Sequence, residues 1–209
     1  MNYIENIYIC LAAPILVAIM CLRNEGRRSL SFVLAGMTSC LLSAYVSTFL
    51  AGVTGIAQQA AAYEIAPVVE EIMKGMPILF FILIFEPDRR VVIIGTLMVS
   101  VGFATFENVC FLTSYGTSDF MRLMIRGFGT GAMHVVCGMI VAIGLYYLWD
   151  HIWLRVVGAF ALLCFVITFH AIFNIFVNQN GTIFWIGALI PMAVVITYLA
   201  FFRRKINMS

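Results

Sequence analysis

Apolar residues run in blocks of about twenty along almost the whole chain, broken by short clusters of charged or turn-forming residues. A helix crossing the hydrocarbon core of a bilayer needs roughly 20 such residues. The pattern predicts an all-α, polytopic transmembrane bundle of seven spans, at residues 3–22, 29–52, 66–85, 91–113, 123–148, 156–177 and 182–202. Arg23, Arg27 and Arg28 follow the first span. Arg89 and Arg90 follow the third, after a Glu86-Pro87-Asp88 turn. Arg155 lies between the fifth and sixth, and Arg203, Arg204 and Lys205 follow the seventh. The alternate connections, 53–65, 114–122 and 178–181, carry no Lys or Arg except Arg122 at one edge. By the positive-inside rule the N-terminus is outside and the C-terminus cytoplasmic. The Ala/Gln-rich segment 56–65 is a candidate helix leading into the third span. Pro67 then falls in that span's first turn, where a missing N–H is harmless.

Composition sharpens this picture. Apolar residues make up 63% of the chain and charged residues 11%, against about 25% charged in a soluble domain. One membrane-embedded domain, 1–209, is expected, with chemistry in or at the bilayer. The net charge of +2 comes with no basic stripe interleaved with aromatics, so a nucleic-acid partner is not expected. Cys10, Cys21, Cys40, Cys110, Cys137 and Cys164 all lie in apolar stretches without CxxC spacing and read as small packed hydrophobes. The first span has no basic segment before it, only Glu5, and so does not read as a cleavable signal. No repeat occurs at a fixed period, and an odd span number argues against a duplicated-half transporter. Gly95, Gly102, Gly127, Gly129 and Gly131 are expected to serve close helix packing.

With the loop and span-end charges set aside, seven ionisable residues stand within the spans: Glu70, Glu71, Lys74, Glu107, Arg126, His134 and His170. A charged side chain at a helix centre is unfavourable by roughly 2.5–3.5 kcal/mol on insertion scales, so these groups should face the bundle interior and satisfy one another. Depth agrees. At ~1.5 Å per residue, Glu70 and Glu71 lie about 6–8 Å below the outer end of their span, and Glu107 about 9 Å. His134 lies about 16 Å deep and His170 about 10 Å. All fall in the outer half of the bilayer. Lys74 stands at i+4 from Glu70 and i+3 from Glu71 and reaches either. Phe103 shares a helix face with Glu107, Thr130 with His134, and His170 with Asn174. Arg126 can hold a carboxylate or extend outward to the interface.

Three kinds of work suit this set. In hydrolysis, a carboxylate takes a proton from water and a His stabilises the oxyanion or protonates the leaving amine. In metal binding, Glu and His make a three-ligand site with an open position, although the spacing is not HExxH. In transport, membrane carboxylates and His form a proton relay, which would require a polar path to the cytoplasmic side. A non-catalytic scaffold is a further alternative. No GxSxG motif or local cysteine-nucleophile signature is present.

Glu70-Glu71-Ile72-Met73-Lys74 reads as EExxK, and Phe103-Ala104-Thr105-Phe106-Glu107-Asn108 as FxxxEN. The fifth span carries Arg126 and Met133-His134, and the sixth His170-Ala171-Ile172-Phe173-Asn174, or HxxxN. Four motifs in this order on four consecutive spans resemble the PrsW family of membrane proteases, which is related to the CAAX prenyl proteases and bacterial Abi proteins. The resemblance covers about residues 60–180, a four-helix catalytic core. It implies an endopeptidase that cuts a single-pass membrane protein, such as an anti-sigma factor, near the extracytoplasmic side of a bacterial plasma membrane. It implies Glu70, Glu71, Glu107, His134 and His170 as catalytic residues, with Lys74, Arg126, Asn174, Phe103 and Asn108 in support. Glu70 or Glu71 activates the water, with Glu71 slightly preferred as the base. Glutamate-activated water requires no cofactor; a divalent metal such as zinc would have Glu71, Glu107, His134 and His170 as candidate ligands. Asn174 cannot act as a base and is expected to orient His170 or an oxyanion.

Overall fold

The computed structural model describes residues 4–85, 87–116, 120–148, 152–179 and 181–201, where all regular structure is helical. The elements are α1 (Ile4–Cys21), α2 (Asn24–Thr54), α3 (Gln58–Glu64), α4 (Ala66–Phe85), α5 (Arg89–Tyr115), α6 (Phe120–Ile125), a π turn (Arg126–Thr130), α7 (Gly131–Leu148), α8 (Ile152–Val177) and α9 (Thr182–Phe201). Glu86, Arg203, Arg204 and Lys205 lie outside the described residues.

Six stretches are long and apolar enough to cross a membrane: Ile4–Cys21, Asn24–Thr54, Arg89–Ser114, Leu123–Leu145, Ile152–Val177 and Thr182–Ala200. The chain is a polytopic membrane bundle. The remaining long helix, α4, matches the predicted third span in its bounds and has 20 residues. Glu70, Glu71 and Lys74 within it are what set its composition apart from the other six. The candidate helix at 56–65 is present as α3, and the Val69 N–H donates to the Ile65 carbonyl where α3 runs into α4.

Two expectations change. Arg27 and Arg28, placed by sequence in a loop, belong to the first turns of α2. The fifth span, expected as one regular helix over 123–148, is interrupted by the π turn.

Five helices close a ring in the order α4, α2, α5, α7, α8 and back to α4. α1 packs outside α2, and α9 outside α7 and α8. Lipid tails are as apolar as leucine, so close packing, not water exclusion, joins such helices. The α2–α5 contact shows this from both sides. A Cβ on Gly36 would collide with the Val99 carbonyl, and one on Gly102 with the Val33 carbonyl. Gly36→Leu is therefore expected to destabilise the protein by about 3 kcal/mol or more. Gly52→Leu, at a position with nothing within 4 Å, should leave the thermal midpoint in detergent unchanged. Equal midpoints for the two variants would contradict this packing account. Gly95 meets the Phe32 ring and Gly129 the backbone of Ala188. Gly127 and Gly131 have nothing within 4 Å, so packing does not explain them; they accompany the π turn.

Candidate active site

The ring brings the predicted ionisable residues together at one level. α4 contributes Glu70, Glu71 and Lys74, α5 Glu107, the π turn Arg126, α7 His134 and α8 His170. His134 and His170 are essentially inaccessible, at 0% and 2% exposure, and their rings meet edge to face with centroids 5.1 Å apart. Two ion-paired arms converge on this histidine pair.

The first arm is Glu71. Its Oε1 accepts from Lys74 Nζ at 2.6 Å and from His170 Nδ1 at 2.8 Å. A carboxylate only accepts, so Nδ1 of His170 carries a proton, and in the neutral ring Nε2 presents its lone pair. Lys74 Nζ also lies 3.1 Å from His134 Nδ1. An ammonium only donates, so Nδ1 of His134 accepts and Nε2 carries the proton. The second arm is Glu107, whose Oε2 receives His134 Nε2 at 2.5 Å and whose Oε1 receives Arg126 at 2.6 Å. Phe103, fully buried, packs on His134 with centroids 5.0 Å apart, and Lys74 Nζ lies 5.2 Å from its ring centre. The Arg126 guanidinium stands 4.4 Å over Phe111.

Glu70 stands apart. Its Oε2 is buried and has no hydrogen-bond partner, and it lies 3.7 Å from His170 Nε2, beyond hydrogen-bonding reach. Three carboxylates face the cations Lys74 and Arg126 in this cluster, and among the described residues Glu70 is the one paired with neither.

Supporting residues fall in different places. Asn174 does not orient His170: its Nδ2 donates to the Ala62 carbonyl at 2.9 Å, fastening α8 to α3. The cause is its position one turn beyond His170, level with α3 instead of the histidine pair. Asn108 lies beside the π turn, its Nδ2 3.5 Å from the Gly127 carbonyl. The π turn itself was not foreseen. The alternating glycines Gly127, Gly129 and Gly131 are the signal that marks a weakened α-helix there.

Residues 27–202 match the family described as PrsW family intramembrane metalloprotease. The chain belongs to the PrsW family. It is accordingly a multi-pass, membrane-embedded protease that acts on a membrane protein in lipid. No curated protein and no solved structure matched it.

The PrsW description as a metalloprotease poses a test of fit. Glu70, His134 and His170 each offer one ligand atom, all within 4.8 Å of one another. Two histidines and a carboxylate are a recurrent donor set of catalytic zinc, which keeps a further position open. The buried, unpartnered Glu70 oxygen and the bare Nε2 of His170 suit a cation; His134 would use a ring nitrogen now held by Lys74 or Glu107. The residues fit a metal. Of the ligands anticipated from sequence, the grouping keeps His134 and His170, while Glu71 and Glu107 are engaged by Lys74 and Arg126.

Proposed function

We propose that this PrsW-family protease hydrolyses a peptide bond of a single-pass membrane protein near the extracytoplasmic boundary of a bacterial plasma membrane, with Glu70 facing the attacking water. An anti-sigma factor is the kind of substrate the family resemblance implies. In this reading α4 crosses as a seventh helix, the N-terminus is outside, the C-terminus is cytoplasmic, and α4, α5, α7 and α8 form the catalytic core. The observation that carries the reading is the Glu70 oxygen, buried and unpartnered, 3.7 Å from the open nitrogen of His170.

The residues divide the work as follows. Glu70 accepts a proton from water as its oxygen adds to the scissile carbonyl carbon. The C–N bond then breaks, and the proton held by Glu70 passes to the leaving amine. Glu71, held by Lys74, fixes the ring of His170 through Nδ1–H; Glu107, held by Arg126, fixes His134 through Nε2–H. Carboxylates behind histidines are the usual arrangement for setting tautomer and ring orientation. A metal bound by Glu70, His134 and His170 would supply Lewis acidity to the carbonyl and a more acidic water. The substrate helix must unwind locally, because its carbonyls are otherwise hydrogen-bonded along the helix.

Proton-coupled transport would need polar groups continuing inward from the cluster. Below Lys74, among the described residues, lies a cavity of about 250 Å³ walled by apolar side chains such as Ile78, Leu79, Val141, Leu145, Leu163 and Val166. Thr96 and Ser100 also line it, with their hydroxyls donating to their own helix. This favours hydrolysis over a relay.

The test compares new protein N-termini in membranes and medium of cells making the wild type or Glu70→Gln/Glu71→Gln at equal levels, with and without envelope stress. Fragments cut at the outer boundary only with the wild type are expected. Identical profiles under all conditions would overturn the reading.

A further inference from the structure

At the end of the bundle opposite the ion cluster, α2 begins and α4 ends, and a groove of about 810 Å³ runs between them. Its α2 wall is Asn24, Arg27, Arg28, Ser31, Phe32 and Ala35. The spacing of 3, 4, 7, 8 and 11 residues from Asn24 makes this one continuous helix face. The stripe is graded along its length. Asn24, Arg27 and Arg28 lie at the start of α2, Ser31 follows, and Phe32 and Ala35 lie farthest along, about 16 Å from Asn24. The facing α4 wall is wholly apolar, from Phe85 at the edge through Phe80 and Phe81 to Met76 and Pro77. Arg27 and Arg28 are exposed, and neither forms an ion pair with a protein carboxylate among the described residues. The segment 23–28 holds three arginines against one carboxylate, Glu25, which does not line the groove.

We infer that this groove is a binding site for an anionic phospholipid, with the headgroup phosphate between Arg27 and Arg28 and an acyl chain lying between α2 and α4. The ligand class follows from the gradient. An occupant must carry negative charge at the arginine end of the groove and turn into hydrocarbon within three helical turns. Guanidinium groups bind phosphate oxygens in a fork geometry. Basic pockets between membrane helices on the side rich in Arg and Lys are placed to take acidic headgroups. A soluble phosphate compound matches the arginines and leaves the wall of Phe80, Phe81, Phe85 and Met76 unfilled. A zwitterionic lipid matches the wall and lacks the net charge. The site is separate from the catalytic cluster, yet it packs a lipid against α4, the helix that carries Glu70, Glu71 and Lys74.

The test uses the full-length protein in detergent micelles doped with phosphatidylglycerol or phosphatidylcholine, with bound lipid counted by native mass spectrometry. The wild type is expected to retain phosphatidylglycerol at least about tenfold better than phosphatidylcholine. Arg27→Gln/Arg28→Gln should abolish that preference, and Ala35→Trp should lower retention with both arginines in place. Arg90→Gln, at the same end but outside the groove, should behave as wild type. A lipid that binds only the folded state raises the unfolding temperature, so phosphatidylglycerol should raise it for the wild type and not for the double arginine variant. The inference is overturned if the wild type does not discriminate, if the double arginine variant retains its preference, or if Arg90→Gln loses it equally.

Discussion

Glu70→Gln is expected to reduce substrate cleavage by at least about 10³-fold, at the upper range of what a positioned acid–base group contributes, while leaving the unfolding temperature almost unchanged. Glutamine has nearly the shape of glutamate, and the oxygen it alters has no hydrogen-bond partner to lose. What disappears is the capacity to accept a proton or to ligate a cation. Glu71→Gln should behave differently. It removes the charge that receives both Lys74 and His170, so it should lower stability and activity together. The two adjacent glutamates thereby become distinguishable by pairing each cleavage assay with a melting curve. A chelator added to the wild type separates the two versions of the chemistry. Loss of activity restored by zinc, together with reduced zinc content in Glu70→Gln, would assign the water to a metal. Chelator-resistant cleavage would assign it to the carboxylate alone. Retained cleavage by Glu70→Gln at normal protein levels would sink the role given to this residue.

Much of this arrangement was legible in the sequence because membrane helices leave few alternatives. Ionisable groups cannot face lipid, so Glu107, His134 and His170 had to turn inward, and helical rise alone put them at a common depth with Glu70 and Glu71. What spacing does not determine is which group pairs with which. Lys74 stands one turn from both Glu70 and Glu71. It pairs with Glu71 because that oxygen also receives His170 from α8, a contact 99 residues away in sequence. Sequence left the base as Glu70 or Glu71 with a slight preference for Glu71, yet the geometry leaves Glu70 with the free oxygen. Asn174 was expected to orient His170 or an oxyanion, and its amide instead donates to Ala62 of α3, a helix legible only as an Ala/Gln-rich segment. The π turn at Arg126–Thr130 begins at Arg126, which reaches Glu107 across the bundle. A glycine-rich stretch permits such a turn without dictating it. Arg27 and Arg28 marked orientation in the sequence, whereas their place on one face with Phe32 and Ala35 required knowing that α2 starts at Asn24.

The pairing of Lys74 with Glu71 predicts a large and non-additive effect on stability. Both side chains are nearly inaccessible, at 6% and 4% exposure. Lys74→Met would leave the Glu71 carboxylate buried without its ammonium partner, and breaking a buried pair from one side is unfavourable by about 3–5 kcal/mol. Glu71→Gln strands the Lys74 ammonium, although His134 Nδ1 still accepts from it at 3.1 Å, so this single change should be the milder of the two. Lys74→Met/Glu71→Gln removes both charges together and is expected to recover a substantial part of the loss, since replacing a whole buried pair is often close to neutral. The double-mutant cycle, read from unfolding in mixed micelles, should therefore give a coupling of about 1–3 kcal/mol, in the range for groups in direct contact. Activity should not follow stability. The double variant regains its fold but no longer holds His170 through an ionised Glu71, and Nδ1 of His134 has lost its donor, so the cleavage rate should stay low. Additive destabilisation would mean that the two charges do not meet inside the protein. Recovery of both stability and cleavage would mean that Lys74 and Glu71 form a structural clamp and nothing more.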